Sequence, residues 1–177
     1  MLVLETPRLM LRHLEPRDLE ALAALYADPD IRRHYPDGVR TLDETREELE
    51  WFRNGHPERP ELGLWATIQK PTARFIGRCG LLPWTLDGLD EVEVAYLIDK
   101  TAWGQGLATE AAAAIARHAH ERLRIARLIC LILPGNVASR RVAEKIGMRY
   151  ERELGAEHGD ALLYSRSVSA RYEAGRP

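Results

Sequence analysis

Residues 92–123 carry the feature that most restricts what this chain can fold into. An alternating apolar run ends at Ile98, the loop Trp103-Gly104-Gln105-Gly106-Leu107-Ala108-Thr109 follows, and a helical pattern starts within it. Over 107–123 the residues Leu107, Ala111, Ala114, Ile115 and His118 share one stripe, and Glu110 sits in the first turn, where a carboxylate suits the helix dipole. The order strand, glycine-rich turn, helix makes an anion site. Glycines let a ligand approach the backbone closely, and the first N–H groups of a helix have no partner within it. The implied ligand carries phosphates.

Two phosphate-binding patterns fail against this loop. A P-loop ends in Gly-Lys-Ser/Thr, but Leu107 and Ala108 follow Gly106, so no lysine reaches terminal phosphates. A dinucleotide fingerprint would place its third glycine at Thr109, and the next strand runs into Leu133 and Pro134 without the acidic residue that holds a ribose.

The rest of the chain supplies strands and helices around this unit. Periodicity predicts strands at 9–14, 62–69, 74–83, 91–98, 125–133, 148–154 and 161–168. Helical spacing predicts helices at 17–26 and 41–53, with Thr41 or Asp43 as cap, and a short piece from Asp28-Pro29-Asp30 to about Gly38. A last helix at 137–146 has Asn136 as its cap and Gly147 just past its end. The run 125–133 is nearly continuous apolar sequence, as in an interior strand covered on both faces.

The third phosphate-binding pattern comes with a resemblance. Glu93-Val94-Ala95-Tyr96-Leu97-Ile98 followed by Trp103-Gly104-Gln105-Gly106-Leu107-Ala108-Thr109-Glu110-Ala111 resembles the Glu-Ile-Gly-Tyr and Trp-Gly-Lys-Gly-Tyr-Ala-Thr-Glu-Ala signature of the GNAT superfamily, in the subgroup of ribosomal-protein N-terminal acetyltransferases. The opening Glu5-Thr6-Pro7-Arg8-Leu9-Met10-Leu11-Arg12 resembles that subgroup's first strand. Trp103 departs from the Gln/Arg that begins the family's pyrophosphate loop, and Gln105 replaces a lysine. The resemblance implies an α/β (α+β) GNAT fold: a central mixed, mostly antiparallel, twisted sheet of six to seven strands with helices on both faces. It implies acetyl-CoA as cosubstrate, held by Leu97, Ile98 and the stretch Trp103, Gly104, Gln105, Gly106, Leu107, Ala108 and Thr109. Asn136 to Met148 resembles the family's Asn-x-x-Ser/Ala-x-x-x-x-Glu-Lys-x-Gly-Phe element, which implies further contacts from Asn136, Ser139 and Lys145. Asn136 is also a sound helix cap in its own right.

Acyl transfer to nitrogen needs a neutral amine, so a base must take a proton from an ammonium group. Glu93 matches the family's strand glutamate. By alternation it shares a face with Ala95 and Leu97, while Val92, Val94, Tyr96 and Ile98 face the other way. A carboxylate among apolar neighbours has a raised pKa, which suits a base. Glu91 is its rival on the same face, and an arginine-paired structural glutamate is the alternative role. Many GNAT enzymes use a tyrosine on the second helix as acid, but Ala143 occupies that position, so Ser139 is the nearest replacement and Tyr164 a more distant one. The resemblance places the acceptor groove between 31–38 and 155–160, with His34, Tyr35, Glu157, His158 and Asp160 as amine-holding candidates. Trp51, Trp65 and Trp84 are expected in the core or as groove walls.

Composition narrows the remaining classes. The 177 residues, 45% hydrophobic and 29% charged, suit one domain, expected over 1–170 with a frayed tail at 171–177. A net charge of −2 offers no field for nucleic acid or an anionic membrane, and no apolar run reaches the roughly twenty residues that span a bilayer. The two cysteines, Cys79 and Cys130, lie in apolar runs without metal-ligand spacing, so no metal is expected. Cytoplasmic residence is expected, as monomer or homodimer. The acceptor is a primary amine, either a ribosomal or other protein N-terminus or a small molecule such as a polyamine or aminoglycoside. A CoA-binding protein that keeps the fold and lacks the chemistry is the competing reading.

Overall fold

The computed structural model of the chain describes residues 1–167. The five strands β1 (Leu2–Glu5), β2 (Leu9–His13), β3 (Gly63–Gln69), β4 (Arg74–Leu86) and β5 (Leu89–Ile98) pair antiparallel in chain order. Beyond them lie β6 (Arg127–Ile132), then β8 (Leu162–Ser167), then β7 (Arg149–Glu153), again paired antiparallel. The two blocks join into one eight-stranded sheet, ordered β1-β2-β3-β4-β5-β6-β8-β7, through the parallel neighbours β5 and β6. Those two share a single aligned position, Glu93 opposite Ile129. Past it, β5 runs on to Ile98 and β6 to Ile132 with no further register between them. The sheet therefore opens into a cleft on the carboxyl side of Glu93.

Helices cover both faces because the strand alternation sends apolar side chains both ways. On one face Leu9, Leu11, Trp65, Ile76, Val92, Val94, Ile98, Leu128 and Cys130 pack against α4 (Leu107–Glu121) and Ala143 of α5 (Val137–Lys145). The small residues Ala111, Ala112, Ala116 and Ala119 form the inner side of α4, and all four are buried. On the other face Ala66, Ile68 and Leu97 meet α1 (Leu19–Tyr26), Ile31 of α2 (Pro29–Arg32) and Leu49 of α3 (Leu42–Phe52). Local chemistry starts these helices. Thr41 and Glu44 form a reciprocal capping box on α3, and Asp28 accepts from the N–H of Asp30 ahead of α2, whose first residue is Pro29.

The expected strands and helices are present, with three corrections. The sheet has eight strands among the described residues, against six to seven expected, because β1 is four residues long and too short to show a period; it is held by its pairing to β2. β4 continues past Pro83 to Leu86. β3 ends opposite Leu81, so beyond that point β4 has one neighbour, and the N–H missing at Pro83 costs no ladder bond. Asp87 (φ 51°) and Gly88 (φ 78°) then close a two-residue hairpin. The short helix α2 stops at Arg32, well before Gly38. Trp51 is 57% exposed and walls a shallow surface cleft with Asp37, Glu44, Glu47 and Glu48, whereas Trp65 is buried. The strand expected to 168 and the tail expected at 171–177 extend outside the described residues. β7, at the far edge of the sheet, has all five residues exposed.

Gly80 sits where the backbone of β3 crowds β4. A Cβ built there would lie 1.9 Å from the carbonyl oxygen of Gly63, a backbone atom that cannot swing away. Gly80→Ala is expected to lower unfolding free energy by about 1–3 kcal/mol, measured by urea denaturation. An unchanged midpoint would contradict the close approach.

Candidate active site

The loop between β5 and α4 is fixed from several sides. A 3-10 turn, Lys100–Ala102, leaves β5 with Asp99 accepting from the Thr101 N–H. The Trp103 indole Nε1 donates to the Ile98 carbonyl at 2.7 Å and so ties the loop to the strand end. Gly104 (φ 74°) and Gly106 (φ 75°) are both left-handed, and a Cβ on Gly104 would meet open space. Gly106 is the N-cap of α4 and offers no side-chain cap; the first helical bond runs from the Glu110 N–H to Gly106 O at 3.0 Å. The N–H groups of Leu107, Ala108 and Thr109 therefore stand ahead of the hydrogen-bonded helix, suited to phosphate oxygens. Gln105 turns its amide back to donate to Thr101 O at 3.2 Å. Lys100 pairs with Asp28 and Asp30 at 2.6 and 3.2 Å, which bolts α2 to the same loop.

Glu93 stands where β5 and β6 part. Its Oε2 accepts from the Trp84 indole at 2.8 Å and its Oε1 from the Leu131 N–H at 3.3 Å. The carboxylate thus receives a strand N–H at the mouth of the gap. Loss of solvation raises its pKa above the ordinary carboxylate range, against the opposing pull of the Trp84 and Leu131 hydrogen bonds and the Arg78 charge. Glu91 is differently placed: both its oxygens accept from Arg127 Nε, at 2.8 and 3.1 Å. It is the arginine-paired carboxylate, and Glu93 has no ion pair in contact among the described residues.

The second helix begins across the cleft. Asn136 Oδ1 accepts from the Ser139 N–H at 3.1 Å, so Asn136 caps α5 and leaves its amide NH2 available. The Ser139 carbonyl accepts from Tyr96 OH at 2.9 Å, which ties β5 to the first turn of α5. Burial raises the pKa of Tyr96. Ala143 is fully buried in the core, and Tyr164 is buried with its ring edge-on to Tyr150 at 5.8 Å. Leu97 and Ile98 bury their side chains in opposite cores, which leaves only their main chain for a ligand. Lys145 is exposed at the last position of α5, the end away from Asn136.

On the acceptor side the two expected segments do meet. Pro36 Cγ and Leu133 Cδ2 lie 3.7 and 3.8 Å from where a Cβ of Gly159 would stand, and His34 Cε1 lies 3.7 Å from that of Gly135. His34 accepts from Arg33 Nε at 3.2 Å, and burial together with the Arg33 charge lowers its pKa. Tyr35 lies under the Arg32 guanidinium, 4.2 Å from its ring centre, and burial raises its pKa. Arg78, buried beside it, donates to Tyr26 OH at 2.7 Å, and Tyr26 in turn donates to Glu48. Glu157 and His158 sit in a 3-10 turn, Ala156–His158, with the Glu157 carboxylate folded over Gly155; no contact brings either to Glu93. Asp160 follows in the left-handed conformation (φ 53°). Arg78 and Tyr96 are not singled out by the sequence, and Trp84, expected in the core or as a groove wall, stands against the Glu93 carboxylate. Trp84 is opposite Glu91 in the β4–β5 register, so recognising the Asp87-Gly88 hairpin would have placed it beside Glu93.

Comparison with known proteins identifies the class. Residues 8–149 match the acetyltransferase (GNAT) domain family, and the chain belongs to it. It is an N-acetyltransferase by family, and that family uses acetyl-CoA. Among relatives, YkkB of Bacillus subtilis is 35% identical over 164 residues, 92% of this chain and 94% of that protein. The GNAT-family acetyltransferase of Bacillus anthracis superposes with a TM-score of 0.79 at 25% identity, over 94% of this chain and 98% of that one. RimL, a ribosomal alpha-N-protein acetyltransferase solved in complex with coenzyme A, shares the fold with a TM-score of 0.76 at 18% identity, over 96% and 99% of the two chains. Among the described residues no helix is long and apolar enough to cross a membrane.

Both cysteines are free and buried, Cys79 on β4 and Cys130 on β6. Burial pushes the Cys79 thiol up to about 11 and the Cys130 thiol well above its ordinary value. Neither is a nucleophile at neutral pH. The folded protein is expected to give no reaction with Ellman's reagent within minutes, and both thiols to react once it is denatured. A fast native thiol would reopen an acyl-enzyme route.

Proposed function

We propose that this enzyme transfers acetyl from acetyl-CoA to a primary amine by direct attack within a ternary complex. One observation carries the reading: β5 presents Glu93 at the mouth of the cleft and ends, at Ile98, in the loop that opens the N-terminus of α4. A phosphate anchor and a base of raised pKa are thereby built on one rigid strand, with an open gap between them. The residues present fit the cofactor. The N–H groups of the 103–109 loop would hold its pyrophosphate, the Leu97 and Ile98 main chain and the Asn136 amide would hold the pantetheine arm, and the bound thioester would supply an activated acetyl carbonyl.

Glu93, directly or through one water, takes a proton from the ammonium group of the acceptor. The neutral nitrogen then attacks the carbonyl carbon; a C–N bond forms, the nitrogen releases its second proton to water, the C–S bond breaks, and CoA leaves as thiolate. The Ser139 hydroxyl, in the first turn of α5, would return a proton to sulfur and regain one from water. A protein N-terminus is the favoured acceptor, supported by the subgroup signature and by the fold shared with RimL. His34 and Tyr35 line the acceptor side. The buried Ala143 favours one competing reading, a CoA-binding protein without catalysis.

Thiol release from acetyl-CoA, measured over a panel of N-terminal peptides, polyamines and aminoglycosides, with mass spectrometry of the products, tests the proposal. CoA binding without thiol release for any acceptor would leave the non-catalytic reading standing. For an active acceptor, kcat/KM should rise with pH along a limb set by Glu93. Because the base must be ionised and its pKa is raised, that limb should lie above the ordinary carboxylate range. Glu93→Gln should lose the limb and about 100-fold or more in kcat. Retention of wild-type kcat across the pH range would refute the assignment.

A further inference from the structure

We infer that Arg8 is a positioning residue for the CoA pyrophosphate, acting through the peptide that joins Gln105 to Gly106. The inference rests on the reading of the 103–109 loop as the CoA cradle. Arg8 lies in the turn between β1 and β2, distant in sequence from the loop, yet its side chain reaches it. Nη1 donates to the Gln105 carbonyl at 3.0 Å, Nε donates to Glu110 Oε2 at 2.6 Å, and the Arg8 backbone N–H donates to Glu110 Oε1 at 2.9 Å. The Thr6 hydroxyl donates to the same Glu110 oxygen at 2.5 Å. Burial works to raise the Glu110 pKa, but the Thr6 and Arg8 hydrogen bonds carry it below the ordinary value, so the clamp is ionised at neutral pH.

The geometry specifies what the clamp does. The peptide is trans, so the Gly106 N–H points away from the carbonyl that Arg8 holds. Arg8 therefore sits behind the cradle and orients a donor that faces out of it. A cation on the carbonyl oxygen also draws electron density through the conjugated amide, which makes the N–H on its other side a stronger donor. This matters here because the loop itself brings no cation: Gln105 stands where the family signature has lysine, and its amide is turned back to Thr101. Glu110 neutralises Arg8, so the contribution is local to one peptide rather than a field over the site. The neighbouring cations are engaged elsewhere: Lys100 pairs with Asp28 and Asp30, Arg74 with Asp99, and Arg33 lies over the Trp103 ring, 5.9 Å from its centre.

Calorimetric titration of the purified protein with CoA gives a readout independent of turnover. Arg8→Gln should weaken CoA binding about tenfold or more. Arg8→Lys, which keeps the charge and a pairing with Glu110 but cannot bridge both acceptors, should keep the melting temperature and still bind CoA more weakly. Guanidinium added at millimolar concentration to Arg8→Ala should recover part of the affinity. The loss should appear in KM for acetyl-CoA, while kcat and the amine KM change less than about twofold. Turnover of acetyl-pantetheine, which lacks the pyrophosphate, should be unaffected by the Arg8 variants. CoA affinity in Arg8→Lys equal to wild type, or an equal loss toward acetyl-pantetheine, would overturn the inference while leaving the proposed activity intact. Failure of the wild-type chain to bind CoA would overturn the reading of the loop, and this inference with it.

Discussion

Two neighbouring parallel strands that pair at one point and then separate are the constraint on which this molecule turns. A sheet interior normally pairs every backbone group, and an unpaired buried N–H costs about 1–3 kcal/mol. Between β5 and β6 the ladder stops at Glu93 and Ile129, so the separated segments need other partners. Side chains supply several. Glu93 accepts from the Leu131 N–H, the Cys130 thiol donates to the Val94 carbonyl at 3.2 Å, and Tyr96 crosses to the carbonyl of Ser139. The opening is thus a braced gap, and a ligand laid along it finds main chain on both sides. Because α4 starts from the end of β5 and α5 from the end of β6, both helix N-termini arrive at the same mouth.

The side facing α1 to α3 is organised by charge instead. Arg32 and Arg78 are almost completely buried, and they survive there by stacking on and bonding to Tyr26 and Tyr35, with Glu48, Asp37 and Arg40 closing the network. Buried charges of this kind contribute little net stability, because desolvation offsets most of the attraction. What they provide is a fixed set of positions for the segment that carries His34 and Tyr35. Lys100, held by Asp28 and Asp30, then couples that segment to the loop at the head of α4.

Much of this was legible in the sequence because it is local. The glycine turn, the stripe of α4, the Asn136 cap and the opposite orientations of Glu93 and Val94 follow from spacing and residue type over a few positions. The loop proposed to hold the cofactor is legible for the same reason. The misses are of two kinds. Asp87-Gly88 is a strong hairpin signal, but Pro83 marks the expected end of its strand; that residue is tolerated within β4 only because β3 stops short of it, a fact about a neighbour. Arg8 with Glu110, and Trp84 with Glu93, are contacts between elements, and no periodicity in one element reports what another will bring against it. The distinction between Glu91 and Glu93 also rests on a contact between elements. Both lie on the same face of one strand, and only the position of Arg127 on β6 separates them.

The far edge of the sheet has a consequence of its own. β7 exposes every residue, and Arg149, Glu151, Arg152 and Glu153 place both signs of charge along a strand that, among the described residues, has a neighbour on one side only. Glu151 and Arg152 are already engaged with Arg127 and Asp87. A strand from another molecule that docked along this edge would have to dehydrate those charges and break those pairs. Accretion of a further strand along this border is therefore poorly rewarded.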